Sequence, residues 1–263
     1  MKQKFLFVVV VISFLLPAMV SGQNDVVPIA TEFLLGGIVN GEWVEPELIQ
    51  ASVPAGLSYR RFNFNEELPS VVGSGSYLGN GGCEFYCISF ADSDIDSDET
   101  LKVGSRAASI PRPGRFQSGG TEAYQKEVKQ LLKENNIDAE PLLKQVVRAD
   151  LDGDGAEEVI VVATNADATI PEFKENTYSL VLFRRLIAGK VVTTPLYQHY
   201  YHENISGQAD SPSGYMVTHI VDIDGDGKME VLLNGRYYEG IWYEIYKLEN
   251  DGLKKVLSAG IGS

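Results

Sequence analysis

The chain has 263 residues, with 36 Asp and Glu against 22 Lys and Arg, giving a formal charge of −14. That excess of acid excludes a nucleic-acid partner, which calls for a basic face, and docking on anionic lipid, which calls for Lys/Arg clusters. Its hydrophobic content of 44%, with 13 Tyr and 11 Phe, is enough to bury a core and argues against disorder.

Residues 1–22 predict a secretory signal peptide: Lys2 and Lys4, an apolar run over 5–16, then Pro17 and small residues ending at Ser21-Gly22. The run is too short for a membrane span, which needs about 20 apolar residues. Cleavage after Gly22 leaves 241 residues and moves the charge from −14 to −16. No other segment is apolar enough to insert, so the expectation is a secreted protein, extracellular or periplasmic, with no membrane insertion after cleavage.

Residues 23–120 read as an N-terminal β region. Phe33-Leu34-Leu35, the turn Asn40-Gly41 and Trp43-Val44 predict a hairpin, because Asn-Gly between apolar runs favours a tight reversal. Further strands are expected over 58–64 and 84–90, with a Gly-rich loop over 73–82 between them. Cys83 and Cys87 stand too far apart on a straight strand to be bridged. The preceding Gly79-Asn80-Gly81-Gly82 permits a bend, so a local disulfide and a pair of buried thiols both stay open. The alternation Asp92, Asp94, Asp96, Asp98 lacks the glycines that would let it wrap an ion, and reads as a solvated acidic loop. Residues 106–120, with Pro111 and Pro113, read as an exposed connector.

Residues 121–144 predict a helix and connector. After Thr121 as N-cap, Tyr124, Val128, Leu131 and Leu132 form an apolar stripe with helical spacing, and Asn135-Asn136 ends it. This is an amphipathic helix near 121–135 that packs on a sheet.

From 145 to 263 the sequence repeats. Val146-Val147-Arg148-Ala149 leads into Asp150-Leu151-Asp152-Gly153-Asp154-Gly155-Ala156-Glu157-Glu158 and an apolar run. His219-Ile220-Val221 leads into Asp222-Ile223-Asp224-Gly225-Asp226-Gly227-Lys228-Met229-Glu230 and another, 72 residues later (150 to 222). The Gly turns that follow are 63 residues apart (189 to 252), so the first copy carries about nine extra residues near 169–176. Each copy reads strand, acidic loop, strand, strand, Gly turn, strand. That is a four-stranded antiparallel unit of the kind that builds a propeller blade.

In both loops Asp occupies positions 1, 3 and 5, Gly positions 4 and 6, and Glu position 9. Alternating carboxylates on a tightly turning loop converge on one point, and the carbonyl at position 7 adds an oxygen. An all-oxygen, strongly negative site suits a hard cation, and flexible high coordination favours Ca2+. An EF-hand fits less well, because its twelfth position calls for an acid and here holds Val161 and Leu233.

The Asp-x-Asp-Gly-Asp-Gly pattern followed by an acid and a strand resembles the calcium loop of FG-GAP/VCBS repeats, as in integrin-α-type β-propellers, over residues 146–260. The resemblance implies two Ca2+ sites. Asp150, Asp152, Asp154, Glu158 and the Ala156 carbonyl would form one, and Asp222, Asp224, Asp226, Glu230 and the Lys228 carbonyl the other. The Phe-Gly and Gly-Ala-Pro signatures of the family are absent. With only two such loops, the expected fold is mainly β: antiparallel four-stranded blade-like repeats in a small, partial or degenerate β-propeller, plus the single helix.

No nucleophile elbow, zinc-protease motif, P-loop or dinucleotide fingerprint occurs. His199, His202 and His219 read as satisfied side chains rather than ligands. The aromatics around 197–201 and 237–246 suit either blade core or stacking on sugars. The expected function is a calcium-binding module for an extracellular protein or glycan, with calcium mainly structural and no catalytic residue assigned. A secreted hydrolase with structural calcium and a calcium-dependent adhesion module are the alternatives.

Overall fold

The computed structural model describes residues 26–79, 85–91, 100–206, 213–250 and 252–262. The expected signal peptide, Cys83 of the Cys83/Cys87 pair and the acidic alternation at 92–99 lie outside the described residues. Among those described, no helix is long and apolar enough to cross a membrane.

The N-terminal region forms β1 (Val26–Ala30), β2 (Leu34–Val39), β3 (Glu42–Val44), the single helical turn α1 (Pro46–Ile49), β4 (Leu57–Phe62), β5 (Glu67–Gly73), the short pair β6 (Tyr77–Leu78) and β7 (Tyr86–Cys87), and β8 (Leu101–Val103). Six of these strands make one antiparallel sheet in the order β3-β2-β1-β8-β4-β5. The expected Asn40-Gly41 reversal joins β2 to β3, with φ of 52° and 84°, the doubly left-handed turn that matches strand twist. The 106–120 connector contributes β9 (Arg115–Phe116), which pairs with the next sheet.

The helix α2 (Glu122–Glu134) buries Tyr124, Val128 and Leu132, the stripe its spacing predicts. Thr121 occupies the N-cap position, but its side chain makes no capping bond. Asn136 closes the helix at φ 56°.

The two repeats fold alike. The first is a meander of β10 (Leu143–Ala149), β11 (Glu158–Thr164), β13 (Thr177–Ile187) and β14 (Lys190–Tyr201). The second is β16 (Gly214–Val221), β17 (Glu230–Tyr237), β18 (Gly240–Glu249) and β19 (Gly252–Gly262). The residues added in the first copy contain β12 (Glu172–Phe173), which pairs with β15 (Ile205–Ser206). Both meanders also bulge in their first strand pair and again in their last, two residues out of step with each other. Among the described residues the sheets are all antiparallel, and none closes on itself.

Packing explains why the central strands are apolar without alternation. One face of the first meander (Ile160, Val162, Val181, Phe183) meets one face of the second (Val217, Val231, Leu233, Tyr246). The other face of the second (Val221, Leu232, Ile245) packs on the N-terminal sheet through Phe33, Phe62 and Leu101. The other face of the first (Val161, Leu180, Leu182) is covered by α2. With both faces covered, every residue of β11 is buried, and each such Val, Leu or Ile contributes about 1.5–3 kcal/mol. The order of layers is therefore N-terminal sheet, second meander, first meander, helix. Because the meanders stack in the same sense, their acidic loops emerge side by side.

Candidate metal centres

Each acidic loop joins the first two strands of its meander, and its last residue opens the second strand. In the ladders Ala149 pairs with Glu158 and Val221 with Glu230, so the ninth-position glutamate sits at the neck of the hairpin. The second-position residues Leu151 and Ile223 are each 1% exposed and pin the loops into the core.

The same hydrogen-bond network is built twice. Oδ1 of Asp150 accepts from the Gly153 amide at 2.7 Å and its Oδ2 from Gly155 at 3.2 Å. Asp222 receives the Gly225 and Gly227 amides at 2.8 and 3.0 Å. Oε2 of Glu158 accepts from the Leu151 amide at 3.0 Å, and that of Glu230 from the Ile223 amide at 2.7 Å. All four loop glycines have φ between 77° and 88°, the left-handed region that a side chain would strain.

The result in each loop is a triad of carboxylates, Asp150/Asp152/Glu158 and Asp222/Asp224/Glu230, whose nearest oxygens lie within 4.8 Å of one another. Both triads could hold a metal ion. Asp154 and Asp226 stand outside them, and each turns Oδ1 to the amide two residues on, Ala156 at 2.7 Å and Lys228 at 2.8 Å.

The electrostatics mark the triads as charge-loaded. Burial, with the charges of Asp152 and Asp154 nearby, raises Glu158 above the usual carboxylate range. Burial likewise raises Asp222, reinforced by Asp224 and Asp226. Glu230, 1% exposed, is pushed up to about 8 by burial and by Asp224 and Asp226. Its Oε1 has no hydrogen-bond partner among the described residues. A buried carboxylate oxygen left unsatisfied costs upward of about 1–3 kcal/mol, and a cation coordinated there would remove that cost.

Two cationic side chains that no motif announces complete the surroundings. Arg112 donates from Nε to the Asp150 carbonyl at 2.7 Å, and from Nη2 to the carbonyls of Leu151 at 3.3 Å and Gly227 at 2.6 Å. Lys247, on β18, pairs with Asp224 and, at 2.9 Å, with Asp226. Burial opposes the charged form of Lys247, but those two carboxylates outweigh it and hold its ammonium well above the usual lysine range. Arg112 lies in Pro-Arg-Pro-Gly and Lys247 in an alternating strand, so neither spacing carried a signal. Glu157, beside the first triad, is engaged elsewhere, by Arg115 and Arg148, each at 2.8 Å.

Of the remaining candidates, His199 and His202 are exposed, and others are packed. His219 is 1% exposed and lies with Nε2 3.0 Å from the Phe62 carbonyl and 3.2 Å from the Leu101 amide, tying β16 to the N-terminal sheet. Tyr197 stacks on Tyr215 at 4.3 Å, and Tyr201 leans on Phe173 at 3.9 Å. A cleft of about 610 Å³ is lined by Phe64, Phe116, Asn234, Arg236 and Tyr243, with Glu32 as the one acid in its lining. Compared with known proteins, the chain matches no family model, no curated protein and no solved structure.

Proposed function

We propose that this is a secreted calcium-binding β-repeat protein that serves as a binding or scaffold module, its two meanders acting as blades locked at their acidic loops by Ca2+. The observation that carries the reading is the Glu230 carboxylate, sealed in the interior beside Asp222 and Asp224 with one oxygen unpartnered among the described residues. The twofold construction of the loop network supports it, because a plain turn needs one Asp-Gly and not three carboxylates held together. Oxygen-only donors with this charge favour Ca2+ over softer metals. The likeness to FG-GAP/VCBS loops points the same way. An extracellular protein or glycan is the partner this reading calls for.

Titration calorimetry on wild type, Asp152→Ala, Asp224→Ala and the double variant tests it. Two sites are expected in wild type, one in each single variant and none in the double. Binding only the folded state should stabilise it by about 2.7 kcal/mol per site at a hundredfold excess over Kd, so millimolar Ca2+ should raise Tm and EDTA lower it. A wild type that binds no Ca2+, or a double variant that binds it unchanged, overturns the reading.

A further inference from the structure

The two triads do not stand apart. The Met229 amide, one residue before Glu230, donates to the Leu151 carbonyl at 2.8 Å. Residues 107–112 run across both loops. Ser109 forms a two-bond ladder with Asp222, 2.9 Å in each direction, and Ala107 closes on Gly225, where an added Cβ would lie 2.6 Å from its own. Arg112 then bridges the carbonyls of Asp150 and Leu151 in the first loop and Gly227 in the second. The peptide groups at this junction are held on their far sides by loop carboxylates. Glu158 takes the amide of the Asp150–Leu151 peptide and Asp226 that of the Gly227–Lys228 peptide, while Asp222 holds the Gly227 amide just before it.

We infer that the two loops fill as a coupled pair, with Arg112 as the positioning residue that carries occupancy of one to the other; this rests on the calcium reading above. Fixing the carboxylates of one loop fixes the peptide groups its neighbour leans on, so the second ion meets a loop already ordered. Repulsion between two dications opposes this. Each triad, however, sets three carboxylates against its ion, so the ion's charge is met within its own loop, and solvent screens charge over about 8 Å at physiological salt. The direct contacts therefore set the sign. Coupling of this kind is reciprocal and typically changes affinity by about 5–150-fold.

Calorimetric titration with CaCl2 tests the inference in two arms. In the first, Asp152→Ala should weaken binding at the surviving second site about tenfold, and Asp224→Ala should weaken the first site by a similar factor. In the second, Arg112→Gln should bind two ions independently, and adding Asp152→Ala to it should leave the second site's Kd unchanged. If Arg112→Gln does not fold, the first arm decides alone. Single-site Kd values equal to those in wild type, or a tighter surviving site, overturn the coupling while leaving the calcium reading intact. Absence of any heat of binding in wild type overturns the calcium reading itself.

Discussion

The loops at 150–158 and 222–230 share a nine-position pattern and one hydrogen-bond network, yet their surroundings differ. The first is the more open: Asp152 and Asp154 are exposed and make no ion pair among the described residues, and Asp150 has only Arg112 near its carboxylate, at 3.9 Å. The second is drawn inward, with Asp222 4% exposed, Glu230 1% exposed, and Lys247 holding Asp224 and Asp226. The register explains the contrast. Val159 pairs with Arg184 and Val231 with Tyr246, so the first-copy counterpart of Lys247 is Arg185. Arg185 turns away, to the carbonyls of Glu249 and Asn250. Local sequence builds the same cage twice, and the neighbouring strand decides how much of its charge is already balanced.

The largest expected effect separates a loop glycine that another segment backs from one that nothing backs. Gly225 has φ 77° and is backed by Ala107, whereas Gly155 has φ 88° with nothing within 4 Å of an added Cβ. Gly155→Ala therefore meets only the backbone cost, about 1–2 kcal/mol. Gly225→Ala adds overpacking and should lose about 3 kcal/mol in all. Urea unfolding of the two variants in EDTA checks this. Equal losses would mean that residues 107–112 do not rest on the second loop.

Next in size is the tethered ammonium. Removing one partner of a buried pair costs several kcal/mol and of an exposed pair under one, so at this half-buried site Lys247→Met should cost about 2 kcal/mol without Ca2+. Saturating Ca2+ should return most of that loss, so the variant should show a larger Ca2+-induced rise in Tm than wild type. The matching Arg185→Met should leave the Ca2+ response unaltered. A Lys247→Met protein whose response to Ca2+ equals that of wild type would erase the proposed difference between the loops.

The contrast also shows what a sequence can carry. The repeat, the four-strand order, the helix stripe and the convergence of positions 1, 3 and 9 were legible, because each follows from local periodicity or from glycine at a positive φ. Stacking of the second meander against the N-terminal sheet was not legible. It depends on which faces of Val221, Leu232 and Ile245 meet Phe33 and Phe62, and strands buried on both sides lose the alternation that would identify those faces. Arg112 and Lys247 were hidden for a similar reason, since each acts across more than 20 residues of chain on carbonyls or carboxylates that no spacing rule links to it. Position 5 points inward in the sequence pattern; here it accepts the amide two residues on, as position 3 does, and stands outside the triad of positions 1, 3 and 9.

The smallest expected effect concerns a seam between the meanders that owes nothing to the loops. Glu244 on β18 is 3% exposed and accepts from Tyr197 of β14 at 2.6 Å, from Tyr246 at 2.9 Å and from Lys255 at 2.9 Å. Tyr197→Phe removes one donor to a buried carboxylate and should cost about 1.5 kcal/mol. Because the seam holds no loop residue, that loss should be the same in Ca2+ and in EDTA, unlike the loss at Lys247. Its pH dependence has a definite sign. Burial, with the Glu244 charge, pushes the Tyr197 hydroxyl up to about 12, so above about pH 10 the unfolded chain releases this proton while the folded protein keeps it. The neutral phenol's contribution is therefore complete below about pH 10 and disappears as pH climbs towards 12. Wild type should lose stability across that window faster than Tyr197→Phe when both are unfolded in urea at a series of alkaline pH values. Parallel losses would mean that the phenol keeps an ordinary affinity for its proton and that Glu244 is held by its other two partners.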